Sequence, residues 1–299
     1  MTWSDARPLT TPPIEPFYFG PPESRLFGCY HRPNDGGTLR SHRPQRSPTR
    51  PCAVVLCYPM GEEYIRFHRA FRQLALQLAA AGFPALRFDF YGCGDSAGEA
   101  AQWRTGQWET DLAVAIAEAR RRSGSQAVAL VGLRLGATLA ATVGATRDDI
   151  AAMVLWDAVL NGKAHRRELQ ALHASMLHRA HVLPASPGTA LPRTQGHPGA
   201  ASPAEVVGFP LTSALDADIA AIDLLALPSA PAPRLLLVES DPRVRQAAFA
   251  ERLRHLGAAV EHVAVPHPQL WVWEEGVGKV VVPHSILQSI TSWLTGVCP

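Results

Sequence analysis

Short apolar runs alternate along the chain with longer segments in which apolar positions recur every three or four residues. From residue 53 the runs are AVVLCYP (53–59), PALRFDF (84–90), QAVALVG (126–132), AAMVLWD (151–157), RLLLVES (234–240) and VEHVAVP (260–266). Their length and their Val and Leu content predict buried strands of a parallel sheet. Between them, Phe67, Phe71, Leu74 and Leu78 share one helix face, and Gly82 closes that helix. Trp108, Leu112, Ala115 and Ala119 form the stripe of a second helix, and a third opens at about Leu135. A helix from Val244 to Leu256 separates the last two strands, and Ile286, Ile290 and Leu294 mark the closing one. Ahead of this alternation, EPFYFG and RLFGCYHRP predict two antiparallel strands at the sheet edge. The fold class is therefore α/β, a mostly parallel sheet with helices on both faces.

Two stretches interrupt the alternation. Residues 40–50, RSHRPQRSPTR, are basic and Pro-containing without aromatic residues, which predicts a solvated turn and not a nucleic-acid patch. Residues 158–232 open with a helical segment rich in His and Arg, pass through PASPGTALPRTQGHPGAASPAE, and regain an apolar pattern in VVGFPLTSALDADIAAIDLLAL. The middle run is too rich in Pro, Gly, Ala and Ser to pack regularly and predicts a mobile lid or loop. The expected organisation is one core, residues 1–157 and 233–299, carrying an inserted cap, 158–232, over the strand ends where open α/β sheets bind ligands.

Composition narrows the function classes. A formal net charge of +2 over 299 residues gives no electrostatic reason to expect nucleic acid or an anionic membrane, so the expected ligand is a small molecule or an acyl group, free or carrier-bound. Cys29, Cys52, Cys57, Cys93 and Cys298 are an odd set without metal-type spacing and read as reduced core thiols. His165, His173, His178 and His181 lie on the Arg-rich segment, and the zinc-helix spacings of His173 with His178 and His178 with His181 are unsupported by nearby carboxylates, so no metal is assigned, and no other cofactor is implied. The start, MTWSDARPLTTPPIEPF, has no basic region leading into an apolar stretch, and no window is an uninterrupted apolar span, so the default location is cytoplasmic without membrane insertion. Nothing in the pattern sets an oligomeric state.

The chemistry concentrates at VGLRLGA (131–137), which follows a buried strand and opens a helix. Gly132 and Gly136 are the glycines of a G-x-S-x-G elbow, but its middle residue is Arg134. A guanidinium stays protonated and has five donors and no lone pair, so it cannot attack a carbonyl. The landmarks around it are ordered as in a known family. CYPMGEEY (57–64) follows the first core strand, and DFYGCGDSAGE (89–99) matches D-x-x-G-x-G-x-S-x-G. On these motifs the chain resembles the α/β-hydrolase superfamily, especially the serine-aminopeptidase-like branch that includes hydrolase-like proteins associated with exosortase systems. The resemblance implies an oxyanion hole from the backbone N–H groups of Met60 and Leu135, with Tyr58-Pro59 where relatives often have His-Gly. It also implies an acid at Asp241 and a base at His267, with His284 as the reserve base. Asp241 is equally expected as a cap for the helix near Val244. Asp157, ending the strand after the elbow, is the expected ion-pair partner of Arg134.

Three functions fit these residues. In the first, His267 oriented by Asp241 works as a general base on a thioester or ester while Arg134 holds an anionic group. In the second, the protein is a pseudo-hydrolase that binds an acyl or acidic ligand or a partner protein, and Arg134 sits in a fixed ion pair with Asp157, Glu62 or Glu63. In the third, a nucleophile is recruited from Cys93, Ser96 or Thr138, with Cys57 a weaker candidate.

Overall fold

The computed structural model describes residues 14–33, 50–182, 204–241, 246–267 and 282–298, without the side chains of 177–182. Ten strands and seven α-helices of this description follow one another as β1 (Ile14–Phe19), β2 (Leu26–His31), β3 (Cys52–Cys57), α1 (Glu62–Ala80), β4 (Ala85–Phe88), α2 (Thr105–Ser123), β5 (Ala127–Leu133), α3 (Leu135–Gly144), β6 (Ile150–Trp156), α4 (Gly162–Val182), β7 (Ala204–Val206), β8 (Phe209–Leu211), α5 (Ser213–Ala220), β9 (Arg234–Glu239), α6 (Ala247–His255), β10 (Ala259–Ala264) and α7 (His284–Val297). Eight strands form one sheet in the order β1-β2-β4-β3-β5-β6-β9-β10. The pairings β1–β2 and β2–β4 are antiparallel, and from β4 to β10 every neighbour is parallel.

The sheet is buried on both sides because its side chains feed two separate cores. Along β5, Val128 and Leu130 join the core beneath α2, α3 and α6, whereas Ala129, Val131 and Leu133 join the core beneath α1 and α7. Period-two alternation thus delivers apolar residues to both faces, which is why β5 reads as a continuous apolar run. The expected helix faces are the buried ones: Phe67, Phe71, Leu74 and Leu78 on α1, Trp108, Leu112, Ala115 and Ala119 on α2, and Ile286, Ile290 and Leu294 on α7. After α1, Gly82 takes φ 94° and donates to the Ala79 carbonyl, while Phe83 donates to that of Leu78, a left-handed stop that a residue with a side chain would strain.

Between β6 and β9 the chain makes an excursion that packs back on the core. Helix α4 lies against α5 and β7, and β7 and β8 form a short antiparallel hairpin. Phe209 stacks on Trp103 at 5.6 Å between centroids, and Arg104 grips Asp218 of α5 through Nε and Nη2 at 2.7 and 3.0 Å. The His173 ring accepts from the Val207 N–H at 3.1 Å. Nearly all of the Pro- and Gly-rich run after α4, whose last two residues open β7, and nearly all of the basic stretch expected as a turn lie outside the described residues. Of the latter, Arg50 donates to the carbonyls of Thr295 and Cys298, tying the end of α7 to the start of β3. All five cysteines are free thiols. No helix among the described residues is long and apolar enough to cross a membrane, and among them no group of three or more His, Cys, Asp or Glu could hold a metal ion.

Candidate functional site

Strand β5 ends at Leu133 and α3 begins at Leu135, leaving Arg134 to make the whole change of direction. It does so at φ 53°, ψ −121°, a region that costs an L-residue about 1 to 3 kcal/mol and persists only where its surroundings enforce it. The surroundings here are tight. A Cβ on Gly136 would stand 2.3 Å from the carbonyl oxygens of Cys57 and Tyr58, and one on Gly132 would stand 2.5 Å from the Cα of Ala137. The two glycines therefore let the start of α3 press against the loop after β3.

The Arg134 side chain is buried, with the residue only 3% exposed. Its Nε donates to Glu63 of α1 at 3.0 Å, and its Nη2 donates to Glu168 of α4 at 2.5 Å. The His165 Nδ1, on the same face of α4, lies 3.4 Å from that Nη2 and 3.3 Å from the Glu168 carboxylate. Burial alone would lower the guanidinium pKa, but Glu63 and Glu168 outweigh it and push it further up. Burial would raise Glu168 in turn, yet the hydrogen bond from His165 and the charge of Arg134 hold its carboxyl down at about 2. An ion-pair network thus spans the elbow, α1 and α4.

The pairing expected between Arg134 and Asp157 is corrected. Asp157, at φ 43°, accepts from the Ser240 N–H at 2.8 Å, from the Ser240 hydroxyl, and from the Asp241 N–H at 3.4 Å. Trp156 Nε1 donates to that same hydroxyl at 2.9 Å, so Asp157 is used to join the ends of β6 and β9. Burial raises its carboxyl to about 6 against these hydrogen bonds and a weaker pull from Arg134.

Tyr58, Met60 and Leu135 come together around one cavity of about 10 Å³, bounded also by Phe90, Cys93 and Trp108. That is room for about one water molecule. The Tyr58 ring stacks on Phe71 at 4.6 Å and its hydroxyl accepts from Arg87 at 2.8 Å. Asp241 is buried and borders a recess of about 340 Å³ with Glu239, Ser240, His262 and Pro266. The His267 N–H donates to the Ser240 carbonyl at 3.0 Å, which brings the expected acid and base side by side at the strand ends. Yet His267 Nδ1 is buried with no hydrogen-bond partner among the described residues, so the carboxylate that would orient a base is not on it. Helix α6 is described from Ala247 with Gln246 as its N-cap, and the cap expected from Asp241 near Val244 falls on residues outside the described ones. His284 opens α7 as an exposed residue, its N–H on the Val282 carbonyl, and no hydrogen bond among the described residues joins it to these groups.

The candidate substitute nucleophiles are committed elsewhere. The Ser96 hydroxyl donates to the Asp89 carbonyl at 2.5 Å and accepts from the Phe27 N–H at 2.8 Å. The Thr138 hydroxyl donates to the Val159 carbonyl at 2.9 Å. Burial pushes the Cys57 and Cys93 thiols up, away from the thiolate. What sequence reasoning missed is the α4 contribution. His165 and Glu168, three apart on a helix otherwise full of Arg, offered a spacing signal that only the elbow's cation makes meaningful.

The ion-pair network carries a pH prediction. The folded pKa of Glu168 lies below its unfolded value of about 4.3. Its contribution to stability is therefore complete above about pH 4.3 and lost as pH falls toward about 2. Asp157 has the opposite sign, because its raised pKa makes stability fall as pH rises through about 4 to 6. Urea midpoints followed from about pH 2 to 5 should fall more steeply with acid for the wild type than for Glu168→Gln; parallel curves would remove Glu168 from the acid transition.

Sheet order and the strained turn after β5 define the class: the chain has the α/β-hydrolase fold. The family model for serine aminopeptidase, S33, matches residues 49–197. Among solved structures, the chain superposes on Est1E of Butyrivibrio proteoclasticus with ferulic acid bound at TM-score 0.57 and 14% identity, covering 94% of this chain and 96% of that one. An esterase of Pyrococcus furiosus gives TM-score 0.58 at 14% identity over 96% and 92%. An α/β serine hydrolase without lid from Xanthomonas campestris gives 0.52 at 13% over 97% and 95%. No curated protein matches the sequence.

Proposed function

We propose that the protein is a ligand-binding member of the hydrolase-like fold in which Arg134 replaces the nucleophile, residues 158–232 act as a cap, and no acyl-enzyme forms. The observation that carries this reading is the Arg134 side chain clamped between Glu63 and Glu168. It fills the position over the elbow where a substrate carbonyl would approach, with a group that has no electron pair to offer. The unpartnered Nδ1 of His267 and the occupied hydroxyls of Ser96 and Thr138 support the same conclusion. The esterases of like fold suit an acyl or acidic ligand, free or carrier-bound, in an otherwise conventional location.

The test is turnover of aryl esters and acyl thioesters by the purified protein, together with labelling by a fluorophosphonate. The expected result is neither a burst nor a label, with rates at the buffer level. Turnover that collapses in His267→Ala and Asp241→Ala would overturn it in favour of general acid–base chemistry. That second reading has one observation of its own, the recess of about 340 Å³ beside Asp241, and would supply about 10² to 10⁴ in rate.

A further inference from the structure

We infer that the ligand is an amphipathic carboxylate, whose head group takes the place of Glu168 on Arg134 and whose tail enters the apolar space beneath α4. The inference rests on the non-hydrolytic reading above and adds the ligand's chemistry and the way the site admits it. A guanidinium buried this deeply keeps its charge, so whatever displaces a partner must itself be an anion. A neutral ester or alcohol entering over the elbow would displace a carboxylate from the cation without replacing its charge. A carboxylate exchanges like for like, in the planar geometry that arginine matches.

Of the two carboxylates that Arg134 meets among the described residues, Glu168 is the one that can leave. Its side chain is 31% exposed against 16% for Glu63, so water already reaches it and the released carboxylate resolvates at little cost. The apolar space lies directly alongside. A cavity of about 30 Å³ is bounded by Met60, Trp103, Leu169, Leu172, Val206 and Phe209, with Glu63 at its edge. As it stands it holds a water molecule or two and no acyl chain. His165, Glu168, Leu169 and Leu172 follow at i, i+3, i+4 and i+7 and so share one face of α4. The helix that surrenders Glu168 is thereby the helix whose leucines close the cavity, and one displacement of that face frees both the cation and the room for a tail. Head group and tail are admitted together, which selects against small acids that cannot fill the space and against apolar molecules that cannot hold Arg134.

The experiment is calorimetric titration of the intact protein with octanoate, 1-octanol, octyl phosphate and acetate, repeated on Glu168→Gln and Arg134→Leu after their folding is checked by circular dichroism. Octanoate should bind, with octanol weaker by about tenfold or more, the margin of a hydrogen bond to a charged group, and acetate weaker by about tenfold or more because it has no tail to bury. Glu168→Gln, which removes the competing anion, should tighten octanoate by about tenfold, and Arg134→Leu should erase the preference for octanoate over octanol. Octyl phosphate binding more tightly than octanoate would move the ligand class from carboxylate to phosphate and overturn the proposal as stated. So would octanol matching octanoate, Glu168→Gln leaving octanoate affinity unchanged or weaker, or no probe binding. p-Nitrophenyl octanoate is assayed on the same samples. Its hydrolysis would sink the non-hydrolytic reading alone, whereas absent binding without hydrolysis sinks only the ligand assignment.

Discussion

Arg134→Ala is expected to lower the unfolding free energy by about 3 to 5 kcal/mol, the range for breaking a buried ion pair from one side. The loss does not measure what the pair contributes. It measures what is left behind, because Glu63 and Glu168 remain at the elbow with no cation between them. Glu168 is held at about 2 partly by Arg134, so the variant should also take up a proton there at a higher pH than the wild type. Arg134→Lys should recover only part of the stability, since an ammonium cannot present two forked donors to carboxylates that arrive from different helices. The replacement of all three groups, Arg134→Leu with Glu63→Leu and Glu168→Leu, should return most of the stability, because a dry apolar cluster suffers no desolvation of charge. Urea unfolding with the slope held as a check on two-state behaviour measures each value. A loss below about 1 kcal/mol in Arg134→Ala would place the network among weak surface pairs and remove its role as a clamp.

The core of the fold was legible because its determinants are local in sequence. Each run from AVVLCYP to VEHVAVP overlaps a strand of the sheet, with ends displaced by a residue or two, since period, length and β-branched content depend on nothing distant. The elbow was legible for a related reason: Gly132 and Gly136 record a steric demand that a side chain at either place would violate. The partners of Arg134 were legible only in part. Glu63 stood among the expected carboxylates because it follows the loop that the elbow packs on, whereas Glu168 comes from a helix whose position over the sheet no local pattern encodes. Asp157 shows the converse error. Strand order correctly put it beside the elbow strand, but its backbone at positive φ turns the carboxylate toward Ser240. Neighbouring strands fix which residues are near, and a single dihedral decides which of them meet.

Arg134→Ser, made together with Glu63→Gln and Glu168→Gln to keep unpaired charge out of the site, is expected to remain without esterase turnover above buffer. The backbone would be ready, since residue 134 already holds φ 53°, ψ −121° and α3 begins at the next residue. A hydroxyl at that point is still a poor nucleophile unless a histidine takes its proton, and the histidine must be held in the right tautomer by a carboxylate. His267 lacks that hydrogen bond on Nδ1 among the described residues, although Asp241 stands beside it in the chain's turn at Ser240. Losing that orienting interaction costs about 10⁴ in rate in enzymes that otherwise retain all three groups. The variant is therefore expected to stay without turnover that His267→Ala removes. Fluorophosphonate labelling reads the same question at the nucleophile, and should be slow and insensitive to His267→Ala. Turnover about 10³ above buffer, lost again in His267→Ala, would mean that Asp241 closes on His267 in solution. The protein would then be one residue, with its two paired carboxylates, away from an esterase, and the cation at the elbow would be the whole of the difference.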